Sequence, residues 1–399
     1  MSFSGIAARL RTAALFCTDT IVRLTLRSTS RPNTVLIVRL DAIGDFILWL
    51  DAAQALLEHY KSLGKSVVLV ANSAWAAWAG DLTAFEDIIT IDLKRFQNSP
   101  LYRYRMGREI RRLGCAIAVN PTYSRDWSLD DSVIRICGAK ERIGSSGDNA
   151  KQETWQRRMT NRWYTRLLPA NPVPRMELQR NAEFMRNLGE LNFVARLPQL
   201  SKSKAHDPDD AFASAIGGRP YYVLFPGASW SGRQWPASSF VKVAEELYRQ
   251  FGWEGVVCGG AADHALADRL CQLSSAPLLN WAGRTTLPQL AAILSAARLL
   301  LTGETSAVHI ATGCNVPTVC ILGGGHYGRF LPYQIDESTD RLSPVSVTYK
   351  MACFGCNWEC IYQRAENNPV PCIEQISVEE VWTAITGVLK IARNGPASG

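Results

Sequence analysis

A carboxylate, an arginine and a run of hydroxyls, each placed just after an apolar, β-branched stretch, are the residues here whose types and spacing could do chemistry. Asp45 ends the turn Leu40-Asp41-Ala42-Ile43-Gly44-Asp45, which follows TVLIVRL (34–40). Gly44 lets the chain turn tightly. A carboxylate at that point can take a proton from a hydroxyl nucleophile; it can equally cap the helix that follows, or sit at that helix's positive end. Arg233 lies in Pro226-Gly227-Ala228-Ser229-Trp230-Ser231-Gly232-Arg233-Gln234-Trp235-Pro236, after YYVLF (221–225). Small residues let the backbone approach a ligand, and a guanidinium offers a fixed fork to phosphate oxygens. The plainer reading is an ordinary strand-to-helix loop with a surface arginine.

The third loop is Thr302-Gly303-Glu304-Thr305-Ser306-Ala307-Val308-His309. Thr305 or Ser306 can cap the next helix, whose free N–H groups suit a diphosphate. His309 reads as a packed, hydrogen-bonded residue or as a supporting contact to that diphosphate. Asp263, after Gly259-Gly260, is of a type that binds ribose hydroxyls in nucleotide sites. Gly323-Gly324-Gly325-His326 tolerates close approach of a ligand and says little more.

The elements that must carry these loops alternate. Strands are expected at 34–40, 66–72, 88–92 and 115–120, with helices between them. A second series has strands at 221–225, 255–260, 278–283, 298–303 and 317–322 and helices at 236–250, 263–273, 287–296 and 306–312. Such alternation predicts parallel, doubly wound sheets, so the fold class is α/β with two Rossmann-like domains facing a cleft. A Ser-, Lys-, Pro- and Asp-rich stretch at 196–219 reads as the linker. The expected division is a leader at 1–33, an N-terminal domain at 34–200, and a C-terminal domain at 201–399 that includes a Cys-rich segment. Ligands of these sheets bind beyond the carboxyl ends of the strands, where the loops above lie.

Taken together, VLIVRLDAIGD, LFPGASWSGRQWP, LLNWAGRTTLPQLAAIL and TGETSAVHIATGCNVPTVCILGG resemble, in order and spacing, the lipopolysaccharide heptosyltransferases of glycosyltransferase family 9. The resemblance runs from about residue 34 to about residue 385. It implies the GT-B architecture, a C-terminal domain for the nucleotide sugar and an N-terminal domain for the acceptor. It places the catalytic base on Asp45, beside Gly44. It places the phosphate-binding cation on Arg233, contacts to phosphate around Gly227, Ala228 and Ser229, and an Asp-Ser-Gly-x-x-His motif on Glu304, Thr305, Ser306 and His309. Three positions depart from the family pattern: Glu304 stands for aspartate, Arg233 for lysine, and Ala228 lacks a hydroxyl. The resemblance also implies inversion by direct displacement, ADP-heptose as donor, and neither a cofactor nor a catalytic metal.

Composition sets the remaining bounds. A net charge of +7 favours acidic partners. Arg95, Arg103, Arg105, Arg108, Arg111 and Arg112, then Arg157, Arg158, Arg162 and Arg166, either meet an anionic glycolipid acceptor or form solvated helix faces. The leader carries five arginines and one aspartate. It reads as a basic amphipathic helix on an anionic membrane, as a helix docked on the protein, or as a frayed tail. No stretch is apolar enough to span a bilayer. Eleven cysteines in mostly apolar contexts point to a reducing compartment, so the expected location is cytoplasmic and peripheral on the inner membrane. Cys353, Cys356, Cys360 and Cys372 have a spacing that suits a structural zinc site or a metal-free structural role. Competing classes are a sugar-nucleotide epimerase, a non-enzymatic nucleotide- or sugar-binding module, and a nucleic-acid binder; no nucleic-acid motif is present.

Overall fold

Short runs of Val, Ile and Leu with no polar alternation form strands buried on both faces, which is how they occur here. The computed structural model describes residues 3–26, 31–200, 209–336, 340–363 and 368–394. It divides into two units, Met1–Val173 with Arg180–Phe193, and Pro174–Gln179 with Val194–Gly399.

The first unit opens with α1 (Phe3–Thr25), followed by β1 (Arg31–Arg39), α2 (Ile43–Ser62), β2 (Ser66–Asn72), α3 (Ala76–Leu82) and β3 (Asp87–Ile91). It continues through α4 (Leu93–Asn98), α5 (Pro100–Arg112), β4 (Cys115–Asn120), α6 (Asp130–Cys137), β5 (Glu141–Ser145), α7 (Thr154–Asn161), β6 (Arg166–Leu168) and most of α8 (Glu177–Leu188). The second unit holds α9 (Asp210–Ile216), β7 (Tyr221–Phe225), α10 (Ala237–Phe251), β8 (Glu254–Val257), α11 (His264–Leu273) and β9 (Leu278–Asn280). It ends with α12 (Leu287–Ala296), β10 (Leu300–Gly303), α13 (Ser306–Gly313), β11 (Thr318–Ile321), β12 (Val345–Val347), α14 (Pro371–Glu374) and α15 (Val378–Asn394).

The sheets run β3-β2-β1-β4-β5-β6 and β12-β11-β10-β7-β8-β9. Every pairing is parallel. Both are therefore the doubly wound Rossmann order, and each reverses direction once, between β1 and β4 in one unit and between β7 and β10 in the other. The loops leaving those four strands are where such a fold leaves room for a ligand.

Within the expected leader, α1 is docked on the first unit. Leu15 and Val22 of α1 are buried, and Asp19 accepts from Arg103 Nε at 2.6 Å and from Nη2 at 2.8 Å. Arg103 Nη1 also donates to the Ser128 carbonyl at 2.8 Å. Arg103 is thus a fully buried structural residue and is not open to an acceptor. No helix among the described residues is long and apolar enough to cross a membrane. The linker stretch contains α9, while 201–208 lie outside the described residues.

Candidate active site

At the first unit's reversal, the turn before α2 is pinned by groups other than Asp45. The buried Arg39 pairs with Asp41 at 2.8 Å. The Asp41 carbonyl accepts from Asn72 Nδ2 at 2.9 Å and from Trp75 Nε1 at 3.0 Å. Phe46 stacks on Trp75 with centroids 4.2 Å apart. The helix cap is Ala42, with no side-chain hydrogen bond. Asp45, in the first turn, is half-buried and has no hydrogen bond or ion pair among the described residues. Asp45 therefore does not cap the helix. Its carboxylate stands free at a helix amino end, on a turn held rigidly by its neighbours, and that arrangement suits a proton acceptor.

Beyond β4 lies a buried polar cluster that sequence patterns do not reveal. Asn120 Nδ2 donates to Asp130 and to the Tyr164 hydroxyl, each at 2.8 Å. Arg125 Nη1 donates to Asp131 at 3.0 Å, and the Tyr164 hydroxyl donates to the same carboxylate. Burial, and then the neighbouring Asp131, push the Asp130 carboxyl up to about 7.

At the second unit's reversal, the loops after β7 and β10 meet through Arg233. Its Nη2 donates to the Glu304 carbonyl at 2.7 Å and to Glu304 Oε2 at 3.1 Å, and Nη1 donates to Ser229 Oγ at 3.2 Å. Its guanidinium lies over the Trp358 ring, 4.6 Å from the centroid. Glu304 is buried, and desolvation raises its carboxyl to about 7 although Arg233, and more weakly Arg329, oppose that shift. Arg233 Nε and Glu304 Oε1 are buried without a hydrogen-bond partner. A half-buried arginine that keeps a spare donor and pairs with a buried, near-neutral acid is suited to exchanging its partner for a phosphate oxygen.

Thr305 caps α13, its hydroxyl accepting from Ala307 N at 3.3 Å and lying 3.1 Å from Thr302 Oγ1. Ser306 opens that helix and is half-buried. His309 is buried, with Nδ1 2.6 Å from the Tyr333 hydroxyl, the packed and hydrogen-bonded arrangement. Gly227 is where the backbone needs no side chain, since a Cβ there would meet Asp263 Oδ1 at 2.3 Å. Asp263 in turn accepts from Gly260 N at 2.8 Å, so one of its oxygens braces its own loop. Ala228 lies between Gly227 and Ser229 in the same turn. Arg233, Ser229, Glu304 and Thr305 are brought to one place, with Gly227 and Asp263 bracing each other on the adjoining loops; Gly44 and Asp45 belong to the other unit.

Sequence patterns missed Trp358 as the platform under Arg233. The segment carrying it also covers the glycine triplet, where a Cβ on Gly324 would meet Phe354 at 2.2 Å and one on Gly325 would meet Trp358 at 2.2 Å. The triplet is thus packed against its own chain instead of being open to a ligand. Cys353, Cys356, Cys360 and Cys372 line one small cavity behind this segment. No group of three or more His, Cys, Asp or Glu among the described residues is placed to hold a metal ion.

The family model for glycosyltransferase family 9 (heptosyltransferase) matches residues 133–354, more than half of the chain. The chain belongs to glycosyltransferase family 9. Lipopolysaccharide heptosyltransferase 1 of Pseudomonas aeruginosa is 31% identical over 128 residues, which cover 30% of this chain and 35% of that protein. The matched stretches span about a third of the length of the first curated relatives. The solved structure of a family 9 glycosyltransferase from Veillonella parvula superposes with a TM-score of 0.69 at 17% identity, over 91% of this chain and 99% of that one. ADP-heptose lipopolysaccharide heptosyltransferase II of Escherichia coli gives 0.64 at 17% identity, over 90% and 99%. These likenesses establish the GT-B fold of two Rossmann-like domains. The family match contains the Arg233 and Glu304 loops, whereas the Asp45 turn precedes it.

Proposed function

We propose that the protein is an inverting glycosyltransferase that moves a heptosyl group from ADP-heptose to a hydroxyl of an anionic lipopolysaccharide core. The observation that carries the reading is the Arg233–Glu304 pair with the α13 amino end at the ligand-binding edge of the second sheet. A diphosphate placed there would meet a guanidinium fork and the positive end of the α13 dipole. The name of the Escherichia coli relative supplies the donor, and the family supplies the reaction class.

In this reaction the acceptor oxygen attacks the anomeric carbon, the bond from that carbon to the β-phosphate oxygen breaks, and ADP departs. Asp45 takes the acceptor's proton. Charge grows on the diphosphate as the bond breaks, and Arg233 with the α13 dipole stabilises it where it develops. Glu304, Thr305 and Ser306 orient the donor, Gly227, Ala228 and Ser229 let its phosphates approach, and Asp263 faces the nucleoside. Gly44 gives Asp45 its turn and His309 buttresses α13. No cofactor is required. The enzyme works at the cytoplasmic face of the inner membrane, on which it sits peripherally.

The test is a panel of nucleotide sugars scored first by thermal stabilisation and then by transfer to truncated lipopolysaccharide cores. ADP-heptose at 100 times its Kd is expected to stabilise the protein by about 2.7 kcal/mol and to be consumed only when acceptor is present. Consumption of a sugar nucleotide without acceptor would make the protein an epimerase, and stabilisation without any turnover would make it a binding module.

A further inference from the structure

At the end of the first sheet opposite the Asp45 turn, the first unit builds a wholly cationic pocket. A cavity of about 390 Å³ is lined by Arg23, Arg111, Arg135, Arg142 and Arg162 together with Trp163, and by no carboxylate. Arg111 precedes β4, Arg142 lies at the start of β5, and Arg162 precedes β6. The pocket therefore opens at the amino ends of these strands, at the opposite end of the sheet from Asn120 and the Asp45 turn.

Three of the five guanidinium groups are held in place. Arg111 Nε donates to the Leu26 carbonyl at 2.6 Å and Nη1 to the Ile136 carbonyl at 3.0 Å. Arg142 donates to the carbonyls of Trp163 and Ala139. Arg135 lies over the Phe16 ring at 3.6 Å and over Trp163 at 5.1 Å, with Nη2 donating to Thr20 Oγ1 at 2.9 Å. Its Nε is buried without a hydrogen-bond partner. The nearest carboxylate, Asp19, stands 4.0 Å from Arg135 Nη1 but is committed to Arg103 at 2.6 Å.

The electrostatic cost is visible in the arginines themselves. Burial, reinforced by Arg23, lowers Arg111 from its ordinary value. Burial, with Arg23 and Arg103 adding and Asp19 opposing, brings Arg135 down to about 10. Five guanidinium groups around one cavity, three of them fixed by hydrogen bonds and with no acid among the lining residues, form a site whose charge an oxyanion would neutralise. Leu24, 81% exposed, shares the pocket wall, and Ile21, 51% exposed, stands on the same helix. A cationic pocket beside projecting aliphatic side chains matches the order of phosphate and acyl chain at a bilayer surface.

We propose that this pocket binds a phosphate oxyanion, presented by an anionic phospholipid headgroup, while Leu24 and Ile21 enter the acyl boundary. Only the source of the phosphate rests on the membrane-surface reading above; the site itself does not depend on the transfer reaction. The test uses the full chain, vesicles of phosphatidylglycerol with phosphatidylcholine or of phosphatidylcholine alone, and inorganic phosphate followed by thermal melting. Arg23→Gln with Arg162→Gln removes two exposed lining charges. Arg269→Gln with Arg298→Gln, in the other unit, matches the change in net charge.

The wild type is expected to float with anionic vesicles and not with neutral ones. The pocket variant should lose about tenfold or more in that binding, the control variant less than about twofold, and inorganic phosphate should compete. If the pocket variant loses only the stabilisation by inorganic phosphate and neither protein binds vesicles, the site takes free phosphate and the membrane-surface reading falls alone. A pocket variant that retains both responses, or a control that loses as much, overturns the proposal.

Discussion

The two strand-end loops proposed for the chemistry treat their carboxylates in opposite ways. In the first unit, structural work is done by Arg39, Asp41, Asn72 and Trp75, and Asp45 is left without a partner. In the second unit, Glu304 is buried and paired with Arg233, so the acid and the cation restrain each other before any ligand arrives. A free carboxylate at a helix amino end is open to take a proton from an incoming hydroxyl. A buried one beside an arginine is held near neutrality by desolvation, and its effect is to tune the cation. The contrast separates a group placed to react from a pair placed to bind.

The largest expected effect is on the reacting side. Asp45→Asn keeps shape and removes the base, so turnover should fall about 100- to 10,000-fold. Because no hydrogen bond is lost, stability should change by no more than about 1 kcal/mol, the worth of a charge at a helix amino end. Steady-state transfer to a truncated core, with donor affinity measured by calorimetry, checks this. If donor affinity collapses while turnover of bound donor persists, Asp45 belongs to the binding side and the contrast fails.

The next effect sharpens the binding side through pH. Glu304 has an ordinary carboxyl value of 4.5 in the unfolded chain and about 7 in the folded one, so folding favours its protonated form. Its contribution to stability is whole below pH 4.5 and is lost as pH rises through 7. A shift of that size is worth about 3 kcal/mol at most. Urea unfolding at pH 5 and pH 8 should show the wild type losing more stability over this span than Glu304→Gln. Protonation also frees Arg233 from its counter-charge, so donor affinity should weaken from pH 6 to pH 8 in the wild type and flatten in the variant. Equal slopes in the two proteins would mean that Glu304 does not tune Arg233.

Much of this architecture is legible in the chain because its signals are local. TVLIVRL, SVVLVAN and YYVLF are apolar and β-branched without alternation, and each became a central or near-central strand. The outer strands β5, β6 and β12 were not legible: ERIGS, RLL and VSV are too short or too polar to show a period. Tertiary partners are invisible to pattern reading for a different reason. Asp19 finds Arg103 across 84 positions and Arg233 finds Glu304 across 71. Nothing near Arg103 in the chain distinguishes it from exposed Arg105 and Arg108 on the same helix, so a buried ion pair looked like part of a basic face. The strand-end loops could be found from sequence, but which of their charges are already partnered required coordinates.

The smallest effect tests whether the second unit's loops are braced by contact. A Cβ at Gly227 would stand 2.3 Å from Asp263 Oδ1 and 2.5 Å from Oδ2. Asp263 can swing aside only by giving up its bond from Gly260 N at 2.8 Å. Gly227→Ala is therefore expected to cost about 1–3 kcal/mol, as overpacking does. In an Asp263→Gly background the obstacle is gone, and the same substitution should cost less than about 0.5 kcal/mol, a coupling that a double-mutant cycle in urea reads directly. Equal costs in the two backgrounds would release Asp263 from its bracing role and leave it free for the nucleoside. The strong coupling expected instead would mean that the binding side, unlike the Asp45 turn, holds its shape with the same carboxylates that line it.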